Sequence, residues 1–436
     1  MKNYRSLLAI LLTLMMVFSI FMMVSNSLKK TDEVEAYLAE AKALHEEGLY
    51  GKAAGKYGQA IELYPDVTYY YAAADMYYDC GQLENSIAWC EETLKAFPEE
   101  AGAYERMIRA CLDYEQYKDA FEALAEADGR KVASAQIETY RERMKGLYFK
   151  QYISIDQVAQ TSGGCFVVGK EGKWGIVSNT GSTILSKHYS RIGAMAGGIV
   201  AVCNAEGNWY LSDEEGVNVA NLTLNLGEGI TDVSLYNEGL FAVCVNGSYR
   251  YYDIDFNAVE GSYTFASAYN AGVAAVQKDG VWQLIDADGK SVNGEAYEQI
   301  VLDDRGLCCL MDRVIVQKDG KYLLLDGSGK RVGNASFEEA RLPAGENLIA
   351  VKVNGLWGFA DLDGNMVIEP QYEDAQSFSN DMAAVCVDGR WGYIDEKNHM
   401  CIEPAFLECR NMTSAGTALI HTDRGWNLLK LYSKNY

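Results

Sequence analysis

The chain has 436 residues, of which 49% are hydrophobic and 23% are charged. This length predicts two or three domains, and the composition is that of a folded protein rather than a disordered one. The formal net charge of −23 argues against nucleic acid as a partner, because an acidic surface repels phosphate backbones. The eleven cysteines include no C-x-x-C pair. They therefore favour buried thiols over zinc sites, with a disulfide framework as the alternative.

An uncharged apolar run near the start of the chain is long enough to cross a membrane. Residues 7–24 carry no charged side chain and would span about 27 Å as a helix. We therefore expect residues 1–30 to form a transmembrane anchor or uncleaved signal, with a cleaved signal peptide as the alternative. Flanking lysines and arginine are balanced, so charge does not fix the orientation. One span followed by a large acidic region favours a single-pass protein with extracytoplasmic repeat domains.

Residues 31–150 show helical spacing with breakers at a constant interval. Gly48 and Gly81 are 33 residues apart, as are Pro65 and Pro98. The region resembles the tetratricopeptide repeat, a helix–turn–helix unit in which large and small residues interlock. Two copies and a looser third carry the pattern at Tyr37, Ala41, Leu44, Ala53, Tyr57, Ala60, Tyr70, Ala74, Tyr77, Ser86, Cys90, Thr93, Tyr104, Ile108, Cys111, Ala120 and Leu124. A final amphipathic helix over residues 131–148 would cap an array of about seven helices.

The tetratricopeptide resemblance implies a concave groove that binds a peptide or a partner helix. The groove positions lie on the first helix of each pair: Lys42, His45, Tyr71, Asp75, Tyr78, Asp79, Arg109 and Asp113. For any single position, an ordinary solvated helix surface is the alternative. Together they make a tyrosine-rich, acidic face, and tyrosine supplies contact area at low entropic cost.

Residues 151–436 consist of short alternating apolar runs separated by Asp-Gly and Asn-Gly turns, which predicts β-hairpins. Eight copies each carry an aromatic residue just after a turn, at intervals of 33 to 40 residues. These structural anchors are Trp174, Trp209, Tyr249, Trp282, Tyr322, Trp357, Trp391 and Trp426. A second aromatic stands about twenty residues before most anchors, at Tyr189, Tyr263, Phe337, Tyr372 and Phe406. It predicts a further strand in each copy.

This combination of residues resembles the WG-repeat family. Residues 355–361 (GLWGFAD) and 389–395 (GRWGYID) match the family's Gly-x-Trp-Gly motif. Each is followed by an Ile-x-Pro-x-aromatic segment, at residues 368–372 and 402–406. The second, third and fifth copies lack the Trp-Gly pair. We expect the tryptophans to pack in the core rather than form a ligand cage, with the indole leaving room only for glycine beside it.

Repeats of this length can close into a propeller or stack as a β-solenoid. The segment from Tyr152 to Val158 matches the late part of a unit, with Tyr152 aligned to Tyr372, and the chain ends soon after the strand that follows Trp426. These two half-units complement each other, as ring closure requires, and closure removes exposed sheet edges. We therefore expect a multidomain α plus all-β protein that ends in a β-propeller of about eight blades, with a β-solenoid as the alternative.

The residues needed for catalysis or metal binding do not occur in recognisable patterns. The four histidines, His45, His188, His399 and His421, show no ligand spacing and no neighbouring nucleophile. Residues 286–289 and 361–364 pair two aspartates as calcium sites do, but the same residues are ordinary in hairpin turns. We expect no metal, no cofactor and no enzyme activity.

The sequence therefore predicts a membrane-anchored, non-enzymatic scaffold of the cell envelope. Its helical groove would bind a protein or peptide, and its propeller face a second protein or a surface polymer. Two alternatives remain open: a propeller-based enzyme that processes a glycan, and a ligand sensor that alters binding by the helices. Buried acids with a raised pKa at the channel mouth would favour the enzyme.

Overall fold

The structure is a computed structural model that describes residues 2–161 and 163–435, with side chains for residues 15–20, 22, 29–161 and 163–434. The chain divides into a helical unit that ends at Met144 and a β unit, Lys145–Asn435. This division lies a few residues before the predicted boundary at 150, because the first strand already begins at Tyr148.

The described residues of the first unit form seven helices: α1 (Lys2–Glu46), α2 (Tyr50–Leu63), α3 (Val67–Asp79), α4 (Leu83–Ala96), α5 (Ala101–Asp113), α6 (Tyr117–Gly129) and α7 (Ala135–Met144). Helix α1 packs on α2, α3 on α4, α5 on α6, and α7 on α5. Alanines such as Ala41, Ala53 and Ala73 are fully buried between them, which lets the helices approach closely. The predicted capping helix is shorter than expected, since the residues from Tyr148 onward join a strand instead.

Residues in the left-handed conformation follow the first helix of each pair. Gly48 (φ 75°) and Gly81 (φ 78°) occupy the turns after α1 and α3. Glycine is favoured there because it lacks a Cβ. The turn after α5 has Glu115 (φ 59°) at the corresponding place. The third pair therefore keeps the turn of the first two although it lacks the glycine.

The predicted membrane span, residues 7–24, lies largely outside the residues whose side chains are described. Among those that are described, no helix is both long and apolar enough to cross a membrane. The large apolar side chains that are described in this region are 48% to 70% exposed: Met15, Met16, Val17, Phe18, Ile20 and Met22.

The second unit opens with β1 (Tyr148–Tyr152) and continues as a succession of antiparallel sheets, here called blades. Blade 1 consists of β2 (Gln157–Gln160), β3 (Cys165–Lys170), β4 (Lys173–Ser178) and β5 (Thr183–Tyr189). Blade 2 consists of β6 (Arg191–Ala196), β7 (Ile199–Cys203), β8 (Trp209–Ser212) and β9 (Asn218–Asn221). Blade 3 consists of β10 (Ile230–Val233), β11 (Leu240–Val245) and β12 (Ser248–Asp253), and blade 4 of β13 (Phe265–Ala266), β14 (Val273–Lys278) and β15 (Val281–Asp286). A short helix, α8 (Leu222–Leu226), follows blade 2. In blades 3 and 4, and also in blade 5, isolated bridges take the place of the fourth strand.

The remaining blades repeat the arrangement. Blade 5 consists of β16 (Gln299–Ile300), β17 (Cys309–Leu310), β18 (Arg313–Lys318) and β19 (Lys321–Leu325). Blade 6 consists of β20 (Glu339–Ala340), β21 (Leu348–Val353), β22 (Leu356–Asp361) and β23 (Met366–Tyr372). Blade 7 consists of β24 (Asp374–Ala375), β25 (Ala383–Val387), β26 (Arg390–Ile394) and β27 (Met400–Phe406), and blade 8 of β28 (Glu408–Cys409), β29 (Thr417–Thr422) and β30 (Gly425–Leu431). Helix α9 (Tyr432–Asn435) ends the described chain.

Strand β1 completes blade 8 by pairing antiparallel with β30. The strand at the start of the unit thus closes the ring with the last strands of the chain, so the predicted eight-bladed propeller is confirmed and the solenoid is wrong. The register differs by one residue from the predicted alignment of Tyr152 with Tyr372. Tyr372 lies opposite Trp357, whereas Tyr152 lies opposite Asn427, the residue after Trp426.

This shift decides which side chain is buried at the closure. Ile153 is 9% exposed and packs in one cluster with Trp426, whereas Tyr152 is 70% exposed. Successive residues of a strand point to opposite faces, so a shift of one residue exchanges the buried and exposed positions.

The glycine of the Trp-Gly pair is required by the backbone of the fourth strand. A Cβ on Gly358 would lie 2.5 Å from the Ile368 carbonyl oxygen, and a Cβ on Gly175 equally close to that of Leu185. The register of β22 and β23 explains this contact. Trp357 pairs with Tyr372 and Phe359 with Ile368, so β23 has two more residues than β22 between these pairs, and the extra residues bulge over Gly358. The predicted cause, crowding by the indole, is therefore wrong.

The aspartates that end the third strands form hairpin turns. Asp361 Oδ1 accepts hydrogen bonds from the backbone N–H groups of Asp363 and Asn365, at 2.9 and 2.8 Å. Asp286 does the same for Asp288 and Lys290, at 3.0 and 2.9 Å. In both turns that resemble calcium sites, a carboxylate therefore organises the turn. No cluster with metal-binding geometry occurs among the described residues.

All eleven cysteines are free thiols, and nine of them are buried. Cys203, Cys244 and Cys386 lie at equivalent places on the second strands of blades 2, 3 and 7. Burial raises the pKa of thiols such as Cys90 and Cys308 to about 12. They therefore remain protonated at neutral pH and act as small apolar side chains.

Candidate functional site

Five of the eight predicted groove residues lie together in the helical unit. Tyr71, Asp75 and Tyr78 are on α3, and Arg109 and Asp113 are on α5. Spacings of three and four residues place them on one side of each helix, and α3 contacts α5. These five residues and Arg106 are called the α3–α5 face below.

Asp75 joins the two helices of this face. Its carboxylate accepts hydrogen bonds from Arg106 Nε and Nη2 and from Arg109 Nη2, each at 3.1 Å. These groups are partly exposed, so each ion pair stabilises the fold only slightly. The pairs do hold two long side chains in place, which lowers the entropy lost when a partner binds.

Each arginine also stacks on a tyrosine. The guanidinium carbon of Arg106 lies 3.7 Å from the centroid of the Tyr71 ring, and that of Arg109 lies 4.0 Å from the centroid of Tyr78. Such stacks combine a cation–π attraction with apolar contact. The face is therefore an ordered layer of alternating aromatic and cationic groups.

The tyrosine hydroxyls are fixed as well. Tyr71 donates to Glu100 Oε1 at 2.7 Å, and Tyr78 donates to Asp113 Oδ2 at 2.6 Å. Glu100 and Asp113 stand at opposite ends of α5. Burial, assisted by the Glu100 hydrogen bond, raises the pKa of Tyr71, and its hydroxyl stays protonated.

The other three predicted residues do not join this network: Asp79 follows Tyr78 on α3, whereas Lys42 and His45 are on α1. Lys42 and Asp79 are exposed, and the His45 ring lies 5.8 Å from that of Tyr50. Sequence reasoning missed Arg106, although its position three residues before Arg109 places both on one side of α5.

The eight aromatic anchors occupy equivalent places in the propeller, on the third strand of each blade. In blades 1, 3, 5, 6 and 7 each anchor lies opposite the second aromatic that follows it in the chain, as Trp391 lies opposite Phe406. Trp209, Trp357 and Trp426 are buried, and the other five are half-buried. They pack within and between blades, and none lines the cavity described next.

A cavity of about 820 Å³ lies at the centre of the propeller. Its walls are the segments that follow the first strands of blades 1, 5, 6, 7 and 8. Thr161 of blade 1 and Asp304 of blade 5 meet there, with the Thr161 N–H and hydroxyl donating to Asp304 Oδ2 at 2.6 and 2.8 Å. Blades 1 and 5 are opposite in an eight-membered ring, so this contact crosses the channel.

The contact across the channel is made by an insertion in blade 5. There the first strand is split into β16 and β17, and residues 301–308 loop out between them. This blade-5 loop packs Leu307 against Leu235 and Ala268, and the Gly306 carbonyl accepts a hydrogen bond from the Ala268 N–H at 3.0 Å. It therefore fills the side of the channel near blades 3 and 4 and leaves the cavity along blades 6 to 8.

The arginines around the cavity are all paired. Each of its arginines has a carboxylate partner at 2.7 to 2.9 Å: Arg305 with Asp303, Arg341 with Asp374, and Arg410 with Glu408. Three polar atoms on its lining residues are buried and have no hydrogen-bond partner among the described residues: Glu346 Oε2, Arg410 Nε and Asn411 Oδ1.

Two carboxyl groups of the cavity have a raised pKa. Burial raises the pKa of Asp303 in spite of its ion pair with Arg305, and burial also raises that of Glu346. Asp303 shapes the blade-5 loop, since its Oδ1 accepts hydrogen bonds from the N–H groups of Arg305 and Leu307, each at 2.9 Å. Hydrolysis of a glycoside uses a pair of carboxyl groups that flank the bond, and Asp303 is engaged elsewhere.

The family model of the WG containing repeat matches residues 258–282 and 357–391. The second match runs from the Trp357 anchor to the Trp391 anchor, and the first ends at Trp282. Both fall in the propeller and support WG repeats at these two places. A search of the curated proteins gave no match.

Solved structures share only low overall similarity with the chain. The computationally designed Ika8 protein is 12% identical with a TM-score of 0.42, and covers 66% of this chain and 99% of its own. BamB from Moraxella catarrhalis is 12% identical with a TM-score of 0.40, and covers 65% of this chain and 99% of its own. The Sgt2 TPR domain from Aspergillus fumigatus is 27% identical with a TM-score of 0.21, and covers 25% of this chain and 75% of its own. Since all three TM-scores are low, the propeller assignment rests on the strand pairing described above.

Proposed function

We propose that the protein is a membrane-anchored, non-enzymatic scaffold of the cell envelope. Its helical unit, taken as a tetratricopeptide-like array, binds a peptide or helix of a partner protein through the α3–α5 face. Its propeller offers a second surface, for another protein or a surface polymer. The observation that carries the proposal is the network that joins five predicted groove residues from two repeat copies.

The chemistry of the α3–α5 face suits protein recognition. Tyrosine and arginine are the residue types most often found at the energetic centres of interfaces. The Arg109 side chain is 37% exposed although Asp75 holds its Nη2, so a bound partner can contact it. A segment that places a carboxylate or a main-chain carbonyl beside Arg109 would suit this cation.

Anchoring to the membrane is supported by the first helix. Residues 7–24 carry no charge, and large apolar side chains such as Phe18 and Ile20 are exposed on α1. Exposed apolar side chains in such a run suit a lipid environment. Fractionation of cells should place the protein in membranes, and protease added to intact cells should remove a tag at its C-terminus.

Partner capture from solubilised membranes tests the proposal. We expect the wild-type chain to retain a discrete partner that residues 1–30 alone do not retain. Arg109→Ala should lower this retention about tenfold, because it removes a stacked cation at the centre of the face. Arg130→Ala, which removes an exposed arginine at the end of α6, is the matched control and should bind like the wild type. Equal retention by Arg109→Ala, or no partner above the anchor alone, would refute the proposal.

A glycan-processing enzyme is the second candidate, because burial raises the pKa of Glu346 at the cavity. It ranks second because Asp303 and Asp304 are both engaged in holding the blade-5 loop. An enzyme of this kind would release reducing ends from a glycan, and Glu346→Gln would abolish that release. The scaffold proposal expects no release from the wild-type chain.

A further inference from the structure

We infer that the outer edge of blade 2 docks a segment of a partner protein in which basic side chains stand beside apolar ones. This surface, called the blade-2 edge below, consists of residues 213–228: the turn before β9, β9 itself, α8 and the two residues after it. The inference rests on the proposed function, since it gives the second surface of the scaffold a place and a partner chemistry. It does not involve the α3–α5 face.

Three large apolar side chains are exposed close together on the blade-2 edge. Val217 is 60% exposed, Val219 is 51% exposed, and Leu224 is 79% exposed, the highest value among the large apolar side chains described. The other exposed apolar residues of the propeller, such as Ile254 and Val281, stand singly along the chain. Single exposed residues are ordinary, whereas a group of them marks a surface that another molecule covers.

The exposure of Leu224 is fixed by the packing of α8. Leu222 is fully buried in the cluster between blades 2 and 3, and Leu226 packs against the same cluster. Asn221 Oδ1 accepts a hydrogen bond from the Leu224 N–H at 2.9 Å, which caps the start of the helix. Because α8 is held by one side, Leu224 faces solvent on the other side in the folded protein.

Strand β9 lacks the residues that protect other outer strands from contact with proteins. It is the last strand of its sheet, and residues 218–221 read NVAN. The outer strands of blades 1 and 8 contain Lys187 and Lys150, and those of blades 6 and 7 contain Pro370 and Pro404. Lysine and proline at a sheet edge discourage association. The edge of blade 2 is therefore open to a partner.

The blade-2 edge lies in a part of the chain whose charged residues are all acidic. Residues 192–249 contain seven acidic side chains and no lysine, arginine or histidine. Three of the seven flank the apolar group and are exposed: Glu214, Glu215 and Glu228. None of the seven forms an ion pair with a described residue, although arginines pair with carboxylates in blades 5, 6 and 8.

This charge decides what can cover the surface. Unpaired carboxylates around an apolar group favour a partner that offers lysine or arginine beside apolar side chains. The same charges disfavour a second copy of the chain, a nucleic acid or an anionic lipid. Acidic side chains are in large excess even with Arg191, which borders this stretch and donates to the Thr231 carbonyl at 2.8 Å.

The partner contacts the side chains of β9 and does not extend its sheet. Leu211 pairs with Ala220 and Ser212 with Asn218, so Val219 forms a bulge. A bulge twists the strand and interrupts the regular hydrogen-bonding pattern that an added strand would need. The exposed valines and the flanking carboxylates therefore supply the contacts.

Selection of random peptides displayed on phage tests the inference, with the 436-residue chain kept in a neutral detergent. Peptides that bind the wild-type chain are passed over immobilised Val219→Lys, which changes only the blade-2 edge. A parallel depletion uses Val367→Lys, the matched control on the outer strand of blade 6, where Val367 is 52% exposed. We expect depletion on Val219→Lys to leave peptides that combine lysine or arginine with valine, isoleucine or leucine. Depletion on Val367→Lys should remove the same peptides, because that variant keeps the site.

The affinity of a surviving peptide, measured by fluorescence anisotropy, tests the role of charge. Val219→Lys should weaken binding at least about tenfold, because it replaces an apolar contact by a repelled charge. Glu214→Gln combined with Glu215→Gln should weaken binding about fivefold, since exposed ion pairs contribute modestly. Glu396→Gln combined with Glu403→Gln removes the same charge at exposed positions of blade 7 and should leave the affinity unchanged. Circular dichroism establishes that all variants are folded.

The inference is overturned if no peptide survives depletion on Val219→Lys, if the survivors lack basic residues, or if both depletions leave the same peptides. Equal affinity in the wild type and the Glu214→Gln, Glu215→Gln variant would also overturn it. A covalent dimer formed under oxidising conditions by Val219→Cys, but not by Val367→Cys, would identify a second copy as the occupant and overturn it too.

These results can be told apart from those for the α3–α5 face. Arg109→Ala leaves the blade-2 edge intact and should bind the surviving peptides like the wild type. Loss of partner capture by Arg109→Ala does not depend on the peptide selection, so failure of this inference leaves the proposed function standing, and the reverse also holds.

Discussion

At Gly358 the third strand of blade 6 has no room for a side chain, because the bulge of β23 brings a carbonyl oxygen over it. The need for glycine was predictable from the Trp-Gly pair. Its cause was not, because the bulge arises from the pairing of two strands rather than from the residue beside the glycine. The proline at position 370, next to the bulge, is the sequence signal that could have indicated it.

Gly358→Ala should lower the free energy of unfolding of the propeller by about 1–3 kcal/mol, because the added methyl group forces the bulge away from β22. Denaturant unfolding followed by tryptophan fluorescence measures this change. Gly55→Ala is the control: Gly55 lies on an exposed side of α2, where an added methyl group would meet nothing within 4 Å. There alanine should stabilise the helix by about 1 kcal/mol. An unchanged propeller stability in Gly358→Ala would contradict this account of the motif.

Asp395 is the turn aspartate that is most deeply buried, with its side chain 1% exposed. It accepts hydrogen bonds from the N–H groups of His399 and Lys397 at 2.8 and 3.0 Å, and Lys145 Nζ lies 3.3 Å away. Burial acts to raise its pKa, but the His399 hydrogen bond and the Lys145 charge outweigh burial, and the pKa is lowered. The folded propeller therefore favours the ionised form.

Asp395→Asn should destabilise the propeller by about 1–3 kcal/mol at pH 7. A lowered pKa contributes stability above the unfolded value of about 3.9, and this contribution is lost as the pH falls through the folded pKa. The difference between variant and wild type should therefore shrink in acid. Urea unfolding at neutral pH and below pH 4 tests this, with exposed Glu403→Gln as control. A loss of equal size at both pH values would show that the charge is not involved.

At the scale of elements, the turn after α5 shows where the repeat departs from its own pattern. Glu115 adopts the left-handed conformation that Gly48 and Gly81 adopt in the other two pairs. A residue with a Cβ pays an energetic penalty there that glycine avoids. The third pair should therefore be improved by restoring the glycine.

Glu115→Gly should raise the free energy of unfolding of the helical unit by about 0.5–1 kcal/mol. Gly48→Ala, at a position where a Cβ meets nothing within 4 Å, is the reverse control and should lower it by a similar amount. Far-ultraviolet circular dichroism during urea unfolding reports on both. Destabilisation by Glu115→Gly would mean that the glutamate side chain contributes more than its backbone strain costs.

Ring closure could be predicted from the sequence because the two half-units at its ends are a property of the repeat itself. The detailed register could not, since Tyr152 and Ile153 are both apolar enough to fill the position beside Trp426, and only strand pairing chooses between them. The extra length of blade 5 was visible as the 40-residue interval between Trp282 and Tyr322. The blade-5 loop enters the channel because Leu307 packs against Leu235 and Ala268. No local sequence pattern encodes this long-range contact.

At the scale of the whole molecule, the two candidate sites differ in how far the sequence reveals them. The α3–α5 face could be predicted because its residues repeat in a fixed helical register. The cavity could not, because its walls come from distant segments such as Thr161 and Asp304, 143 residues apart, which only the closed ring brings together. Surfaces encoded by a repeat are therefore predictable, and those created by closure are not.

The central claim is that the α3–α5 face binds a partner at the membrane, and photo-crosslinking in living cells tests it most directly. A photoreactive amino acid at Lys42 or Asp79, exposed positions among the predicted groove residues, is compared with one at exposed Glu91 on α4, the second helix of a pair. The account predicts a discrete adduct in the membrane fraction from the groove positions, absent from Glu91 and lost when Arg109→Ala is added. No adduct from the groove positions, or the same adduct from Glu91, would contradict it.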